Sequence, residues 1–278
     1  MLIDTHAHVN FNAYKEDSRE VIRRTLDNGV WMINVGSQYT TSQRAVEMAE
    51  NYSEGVYAAI GLHPVHLETG LVKIKDDPEE IQFKTTEESF DCCRYKELAR
   101  SKKVVAIGET GFDYYWRPKS KTKQEQFKDK QKKAFLNQLE LSQELNLPLI
   151  VHCRMAHEEL IETLNYELKT KNYKLTGVIH CFTGSLEQAK KYIELGFYIG
   201  LNGIIFKMNL DEVIKNIPQD RIVLETDCPY LTPPMAETQR NEPMYVKYVA
   251  EKVAKLKGLT FEDISKITTE NAKKLFRI

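Results

Sequence analysis

The sequence predicts an α/β fold, a (β/α)₈ barrel of the TIM type with extra C-terminal helices. Short apolar segments alternate with amphipathic segments over nearly all of the 278 residues, and eight strand-like segments are counted. Parallel strands need long helical crossovers, so this alternation indicates a parallel sheet covered by helices. One barrel of this length is ordinary, and we expect a single domain over residues 1–278.

Each strand is predicted from a short run of apolar or β-branched residues. The strands span residues 2–5, 30–35, 56–60, 104–107, 149–151, 177–179, 197–199 and 221–224. Helices are predicted between them at 17–28, 41–51, 122–146, 155–169 and 186–195, and two more at 242–257 and 260–276 close the chain. Residues 72–103 are polar and break the alternation, so we expect a surface insertion with one helix there.

Composition narrows the class of protein. The net charge of −1 excludes a generally basic nucleic-acid coat but allows a local basic patch. No apolar run approaches the ~18–20 residues of a membrane span, and the N-terminus does not read as a signal peptide. The five cysteines are odd in number, and we expect reduced thiols in a cytoplasmic protein with no membrane partner.

A pair of histidines stands at the end of the first predicted strand, in Asp4-Thr5-His6-Ala7-His8. Residues two apart on a strand point to the same side, so both imidazoles can face one cation. A single pair of this kind carries little weight, but later strands end in residues of the same type.

Barrel enzymes place their catalytic residues at the C-terminal ends of the strands, where the loops form one mouth. The polar residues at these ends are His6, His8, His63, Glu109, His152, His180 and Asp227. All but His63 form an imidazole and carboxylate set large enough for two adjacent divalent cations. Glu109 has two oxygens and can therefore bridge two metals.

Two adjacent metals suit phosphodiester hydrolysis, because one activates water while both neutralise charge on the attacking and leaving oxygens. Glu109 and Asp227 are the predicted catalytic residues. Asp227 is expected to accept the proton of the attacking water as well as bind metal, with a role as ligand alone left open. Carboxylate and phosphate chemistry favours Mg²⁺ or Mn²⁺, while the histidines also suit Zn²⁺.

Seven motifs in this order resemble the TatD family of metal-dependent deoxyribonucleases over essentially the full chain. The motifs are Asp4-Thr5-His6-Ala7-His8, Gly61-Leu62-His63-Pro64, Gly108-Glu109-Thr110-Gly111-Phe112-Asp113-Tyr114, His152-Cys153-Arg154, His180-Cys181-Phe182-Thr183-Gly184-Ser185, Glu225-Thr226-Asp227-Cys228-Pro229-Tyr230-Leu231-Thr232-Pro233 and Arg240-Asn241-Glu242-Pro243. The resemblance implies a barrel of the amidohydrolase-like superfamily with magnesium-dependent nuclease activity, often 3′→5′ on single strands.

The resemblance also implies a ligand set, which is His6, His8, Glu109, His152, His180 and Asp227. The first two histidines and Asp227 would hold one metal, and Glu109 would bridge to a second held by the later two histidines. His63 and Arg154 are implied as contacts to the substrate phosphate. The chain departs from the family pattern at His66, whose role is left open, and in a longer segment at residues 66–103.

Other residues near the predicted mouth allow two interpretations each. Arg154 can grip phosphate or pair with Glu158, and Tyr114 or Trp116 can stack on a base or cap the barrel. Residues 117–133, with eight basic and two acidic side chains, can attract a strand or form an ordinary solvated face.

Two further sets of residues lie close to the predicted metal ligands in the sequence. The segment Thr183-Gly184-Ser185 can cradle phosphate or simply cap a helix. Cys153, Cys181 and Cys228 each follow a predicted ligand and are expected to turn away from the metals as packing residues.

We therefore expect a hydrolase that cleaves DNA, from a 3′ end of single strands. An amidohydrolase-type enzyme that cuts an ester or amide in a small molecule or an aminoacyl-tRNA is the first alternative. It would use the same strand-end residues, although Glu109 stands where its carbamylated lysine would be. A non-enzymatic nucleic-acid-binding barrel is the second alternative, and the complete ligand set argues against it.

Overall fold

The computed structural model of the chain describes residues 1–71, 85–171, 173–236 and 238–278. Its eight strands are β1 Leu2–Ala7, β2 Val30–Val35, β3 Val56–Ile60, β4 Val104–Asp113, β5 Leu149–Arg154, β6 Gly177–Ile179, β7 Phe197–Leu201 and β8 Ile222–Leu224. The α-helices in these residues are α1 Ser18–Asp27, α2 Tyr39–Glu50, α3 Cys92–Leu98, α4 Lys121–Leu145, α5 His157–Thr170, α6 Leu186–Glu194, α7 Asp211–Asn216, α8 Val246–Lys257 and α9 Phe261–Phe276.

The strands form one parallel sheet in the order β1 to β8, which confirms the predicted barrel. The barrel closes where β1 meets the residues that follow β8. Ala7 forms a parallel bridge with Cys228, the Asp227 N–H donates to the His6 carbonyl at 2.8 Å, and the His8 N–H donates to the Cys228 carbonyl at 2.9 Å. The same hydrogen bonds therefore close the barrel and place Asp227 beside His6 and His8.

Strand β4 continues six residues beyond its predicted end, because two glycines inside it interrupt the apolar run without ending the strand. At Gly111, which has φ of +144°, a Cβ atom would lie 2.0 Å from the His152 carbonyl oxygen. Glycine thus permits β4 to approach β5 closely at the position of a predicted metal ligand.

Residues 72–84 of the expected insertion lie outside the described residues, and its described part contains one α-helix, α3. Helix α7 was not predicted, since its six residues are too few to show a helical period. Within the described part of the chain, none of the helices has the length and hydropathy needed to cross a bilayer.

The core forms two layers because successive residues of each strand face opposite sides of the sheet. Leu2 packs outward against the helices, whereas Ile3 faces the barrel interior. Leu275 and Phe276 of α9 join the inner layer, and burying each such side chain stabilises the fold by about 1.5–3 kcal/mol. The inner layer is apolar up to the C-terminal ends of the strands, where the polar residues begin.

Candidate metal centre

The C-terminal ends of the strands open into one cleft of about 640 Å³. The cleft brings together seven of the eight predicted site residues, which are His8, His63, Glu109, His152, Arg154, His180 and Asp227. His6 is fully buried, and its ring stacks on His180 with the ring centroids 3.6 Å apart. All eight residues therefore lie in or directly beside this cleft.

The His6 and His8 side chains converge, with their Nε2 atoms 3.1 Å apart. The pairing register shifts between Asp4 and Ala7, so an irregularity at the end of β1, rather than simple strand alternation, brings them together. His8 Nδ1 lies 2.8 Å from the Val35 carbonyl oxygen. A proton on that nitrogen leaves the Nε2 lone pair free for a cation.

Asp227 faces the same pair of nitrogens. Its Oδ1 lies 3.5 Å from His8 Nε2, 3.9 Å from His6 Nε2 and 4.0 Å from His180 Nε2. The backbone at Asp227 is left-handed, with φ of 60°, and this turn aims the side chain back over the barrel mouth. One carboxylate and two or three imidazoles thus surround one point.

The two oxygens of Glu109 face different groups of histidines. Oε1 lies 2.8 Å from His152 Nδ1 and 3.5 Å from His180 Nε2. Oε2 lies 3.5 Å from His6 Nε2 and 4.0 Å from His8 Nε2. Glu109 therefore connects the two sides of the cluster.

Two further carboxylates, which were not predicted from the sequence, each contact one ring nitrogen of a histidine in the cluster. Asp113 Oδ2 lies 3.1 Å from His152 Nε2, and Glu225 Oε1 lies 2.9 Å from His180 Nδ1. A carboxylate on the far ring nitrogen fixes the orientation and tautomer of a ligating histidine. Both residues belong to the motifs quoted above, but the motifs alone do not indicate which histidine each carboxylate contacts.

His63 lies at the edge of the cluster, with Nε2 3.3 Å from Glu109 Oε1. Its Nδ1 accepts a hydrogen bond from the Val65 N–H at 3.1 Å, so the neutral ring carries its proton on Nε2. That nitrogen is a donor, which suits an anion. His66, whose role the sequence left open, is buried and lines the cleft, with Nε2 3.4 Å from Ser37 Oγ.

Arg154 does not pair with Glu158, whose carboxylate contacts Gln188 and Lys191 instead. The guanidinium carbon lies 3.8 Å from the centre of the Tyr115 ring. Of the two predicted stacking residues, Trp116 lines the cleft, whereas Tyr114 packs on Phe112 with the ring centroids 6.0 Å apart. Trp116 is therefore the one placed to meet a substrate.

Two of the three cysteines pack as expected, and the prediction is wrong for the third. Cys153 and Cys228 are buried in the apolar core. Cys181 lines the cleft and lies with His180 and Asp227 in one cluster. Strand β6 ends at Ile179 and Cys181 has φ of 45°, so strand alternation does not govern its direction. Ser185 is the N-cap of α6 and accepts from the Gln188 N–H, as the capping interpretation predicts.

The charges of the cluster favour a cation. Burial opposes ionisation of Glu109, but His63 and His6 hold its pKa well below the usual value. Burial likewise opposes ionisation of Asp227, and His180 holds its pKa below the usual value. Burial and the neighbouring His180 lower the pKa of His6 to about 4, so this ring is neutral and has a lone pair to donate.

The residues present therefore fit divalent metal ions. Ligand atoms within 4.8 Å of one another form the groups His6–His8–Asp227 and His6–Glu109–His180, and His152 Nδ1 lies 2.8 Å from Glu109 Oε1. Neutral imidazoles and ionised carboxylates are the donors that such ions take in proteins. Burial opposes protonation of His152 and His180, but Asp113 raises the pKa of His152 to about 9 and Glu225 raises the pKa of His180 to about 10, so a metal would displace a proton from each ring.

Comparison with known proteins gives consistent matches along the whole chain. The family model described as TatD related DNase matches residues 3–277. A Bacillus subtilis protein named uncharacterized metal-dependent hydrolase YabD is 45% identical over 100% of both chains. A Pantoea ananatis protein named 3′-5′ ssDNA/RNA exonuclease TatD is 32% identical over 99% of both. The crystal structure of the Escherichia coli TatD homolog YJJV superposes with a TM-score of 0.79 at 27% identity, over 100% of this chain and 98% of that one.

Proposed function

Because the chain belongs to the family of TatD-related DNases and is a metal-dependent hydrolase, we propose that it cuts phosphodiester bonds in single-stranded DNA from the 3′ end. The observation that carries the proposal is the position of Glu109, whose two oxygens face separate groups of histidines. A relative named as a 3′-5′ ssDNA/RNA exonuclease supports the polarity, and its name makes RNA a substrate to test beside DNA.

We assign the six ligands to two metal ions. His6, His8 and Asp227 would hold the first, His152 and His180 the second, and Glu109 would bridge them. Mg²⁺ is the proposed metal, with Mn²⁺ and Zn²⁺ as alternatives. When bound, such a pair supplies Lewis-acid activation of water and neutralises charge on the reacting phosphate.

The residues of the chain supply the proton transfer and the grip on the substrate. Asp227 is ionised and its side chain is 16% exposed to the cleft, so it can accept the proton of the attacking water. The water oxygen forms the new bond to phosphorus and the P–O3′ bond breaks. A 5′-mononucleotide leaves, and the departing O3′ takes up a proton.

The donors around the cluster would hold the phosphate. The Nε2–H of His63 and the guanidinium of Arg154 both line the cleft and can donate to phosphate oxygens. Both lie outside the six-ligand set, so they can bind substrate without competing for the metals.

The basic side chains near the start of α4 are proposed to attract the strand. Lys130 is occupied, since it pairs with Glu68 at 3.1 Å and Glu87 at 2.7 Å. Lys128 lies 4.8 Å from the centre of the Tyr114 ring and forms one longer ion pair, 3.8 Å to the exposed Glu125 carboxylate. Lys132 is exposed. Lys128 and Lys132 are therefore the side chains we propose for this role.

The five cysteines are free thiols, which fits the reducing cytoplasm that we propose as the site of action. Cys181, which lines the cleft, would remain reduced in such a compartment.

The test is digestion of 5′-labelled and 3′-labelled single strands, DNA and RNA, with Mg²⁺, Mn²⁺ or EDTA. We expect a ladder that shortens stepwise on the 5′-labelled DNA and immediate release of label from the 3′-labelled DNA. Both should disappear with EDTA and in Glu109→Ala, but not in Glu54→Ala, which alters an exposed carboxylate. If folded, metal-loaded protein cleaves no strand, the activity is instead ester or amide hydrolysis at the same residues.

A further inference from the structure

We propose that Tyr115, Trp116 and Arg154 form a stacking platform at the rim of the cleft that binds an unpaired nucleobase of the strand being cut. The inference rests on the proposed function and deepens it, because it identifies the part of the substrate, beyond the phosphate, that the protein recognises. The platform would select strands in which the base to be bound is not stacked on an adjacent base.

Two of the three side chains already lie face to ring, and the third meets them edge-on. The guanidinium of Arg154 lies over the Tyr115 ring at 3.8 Å. Trp116 meets the same ring edge-on, with centroids 5.1 Å apart and planes at 88°. Arg154 is exposed and takes part in none of the ion pairs formed among the described residues, and Tyr115 is 49% exposed. A planar, cationic surface is therefore left open to solvent, and base faces stack readily on such surfaces.

The platform is fixed relative to the metal cluster by one carboxylate. Asp113 Oδ1 accepts hydrogen bonds from the N–H groups of Tyr115 and Trp116, both at 2.9 Å, while Oδ2 lies 3.1 Å from His152 Nε2. The Tyr114 N–H donates to the Arg154 carbonyl at 2.9 Å. A base held on the platform would therefore keep a constant distance from the cluster.

The distance to the cluster also suits a nucleotide. Arg154 follows His152 by two residues on β5, which separates their Cα atoms by roughly 6.6 Å. A base on the platform can thus belong to a nucleotide whose phosphate reaches the cluster. A guanidinium that contacts a ring through its face keeps its N–H groups in the plane, where they can donate to phosphate.

Apolar side chains line the same cleft and would cover the second face of the base. Met155 and Met208 are 66% and 42% exposed, and Ile204 and Leu231 lie in the same lining. Exposed apolar residues gathered at one cleft mark a binding surface. Methionine adapts its shape to different partners, so this wall would accept any of the bases.

The experiment compares a normal single strand with one whose two 3′-terminal nucleotides carry tetrahydrofuran in place of the base. For the wild type we expect kcat/KM to fall roughly tenfold when the bases are removed. In Tyr115→Ala/Trp116→Ala the normal strand should drop to the rate of the base-free strand, so the ratio approaches one. Tyr115→Phe should retain the discrimination, and Tyr166→Ala, on an exposed tyrosine of α5, should behave as wild type.

A binding measurement separates this proposal from the proposed function. The anisotropy of 5′-fluorescein-labelled pentathymidylate, and of its base-free counterpart, is measured with wild type in EDTA. Tighter binding of the base-bearing strand, lost in Tyr115→Ala/Trp116→Ala, supports the platform even if the protein proves to cleave no DNA. Equal binding and equal cleavage of the two strands by the wild type would overturn it.

Discussion

Asp113 and His152 form the contact that connects the metal cluster with the rim of the cleft, through 3.1 Å between Oδ2 and Nε2. The second oxygen of Asp113 binds the backbone of the turn at Tyr115. The carboxylate therefore orients a proposed metal ligand and a proposed substrate-binding turn at once. A substitution that moves His152 should therefore also move the turn at Tyr115, and the reverse.

Asp113→Asn should weaken metal binding about 10- to 100-fold, because the amide retains the shape but no longer offers His152 an anionic acceptor. Calorimetric titration with Mn²⁺ measures the change, and the thermal midpoint without metal shows whether the fold is intact. Asp27→Asn, on an exposed aspartate at the end of α1, is the matched control. An unchanged affinity would show that the contact does not act on the ligand.

Glu109→Ala should abolish cleavage, because it removes the group that faces both halves of the cluster. We expect a loss of about 10²- to 10³-fold in kcat, the range seen when one group that stabilises developing charge is removed. Quenched-flow or long-incubation assays measure the residual rate. Turnover at more than a tenth of the wild-type rate would contradict the bridging role.

Lys128→Glu/Lys132→Glu should raise KM for long single strands more than for dinucleotides, since a longer strand reaches further along α4. The effect should diminish between 50 mM and 200 mM salt. Lys255→Glu/Lys266→Glu, on exposed lysines of α8 and α9, reverses the same charge elsewhere and should change neither KM. Equal increases for both substrates would mean that this helix presents only a solvated face.

Asp17→Asn should reduce the free energy of unfolding at neutral pH, because it removes the charge that pairs with Arg240. The expected loss is only about 1 kcal/mol, since solvent screens a partly exposed ion pair. The hydrogen bond from Arg240 lowers the folded-state pKa of Asp17. Its stabilising effect is thus present above the unfolded pKa and disappears as the pH falls through the folded pKa. Urea unfolding at pH 7 and pH 3 checks this. The wild type and the variant should differ at pH 7 and differ less at pH 3, and a constant difference would refute the assignment.

Most of the cluster could be predicted because chain order and strand ends carry the information. Once His152 ends one parallel strand and His180 the next, the barrel brings them together. The supporting roles of Asp113 and Glu225 could not be predicted, since they depend on a side-chain direction across 39 and 45 residues. Cys181 was misplaced because its left-handed backbone breaks the strand pattern.

The fold was predicted at the level of element order, and it differed where local signals misled. The glycines of β4 led to a predicted strand end at residue 107, although the strand continues to Asp113. The close approach of β4 to β5 depends on Gly111. The stack of Arg154 on Tyr115 joins β5 to the turn after β4, a contact that no local pattern encodes.

The most direct test of the two-metal account is to titrate metal-free protein with Mn²⁺ while bound metal and the cleavage rate are measured together. The account predicts that two equivalents bind and that cleavage rises with the second. Glu109→Ala should remain inactive at every ratio. Full activity with one equivalent bound, or cleavage without any bound metal, would contradict the proposed roles of the six ligands.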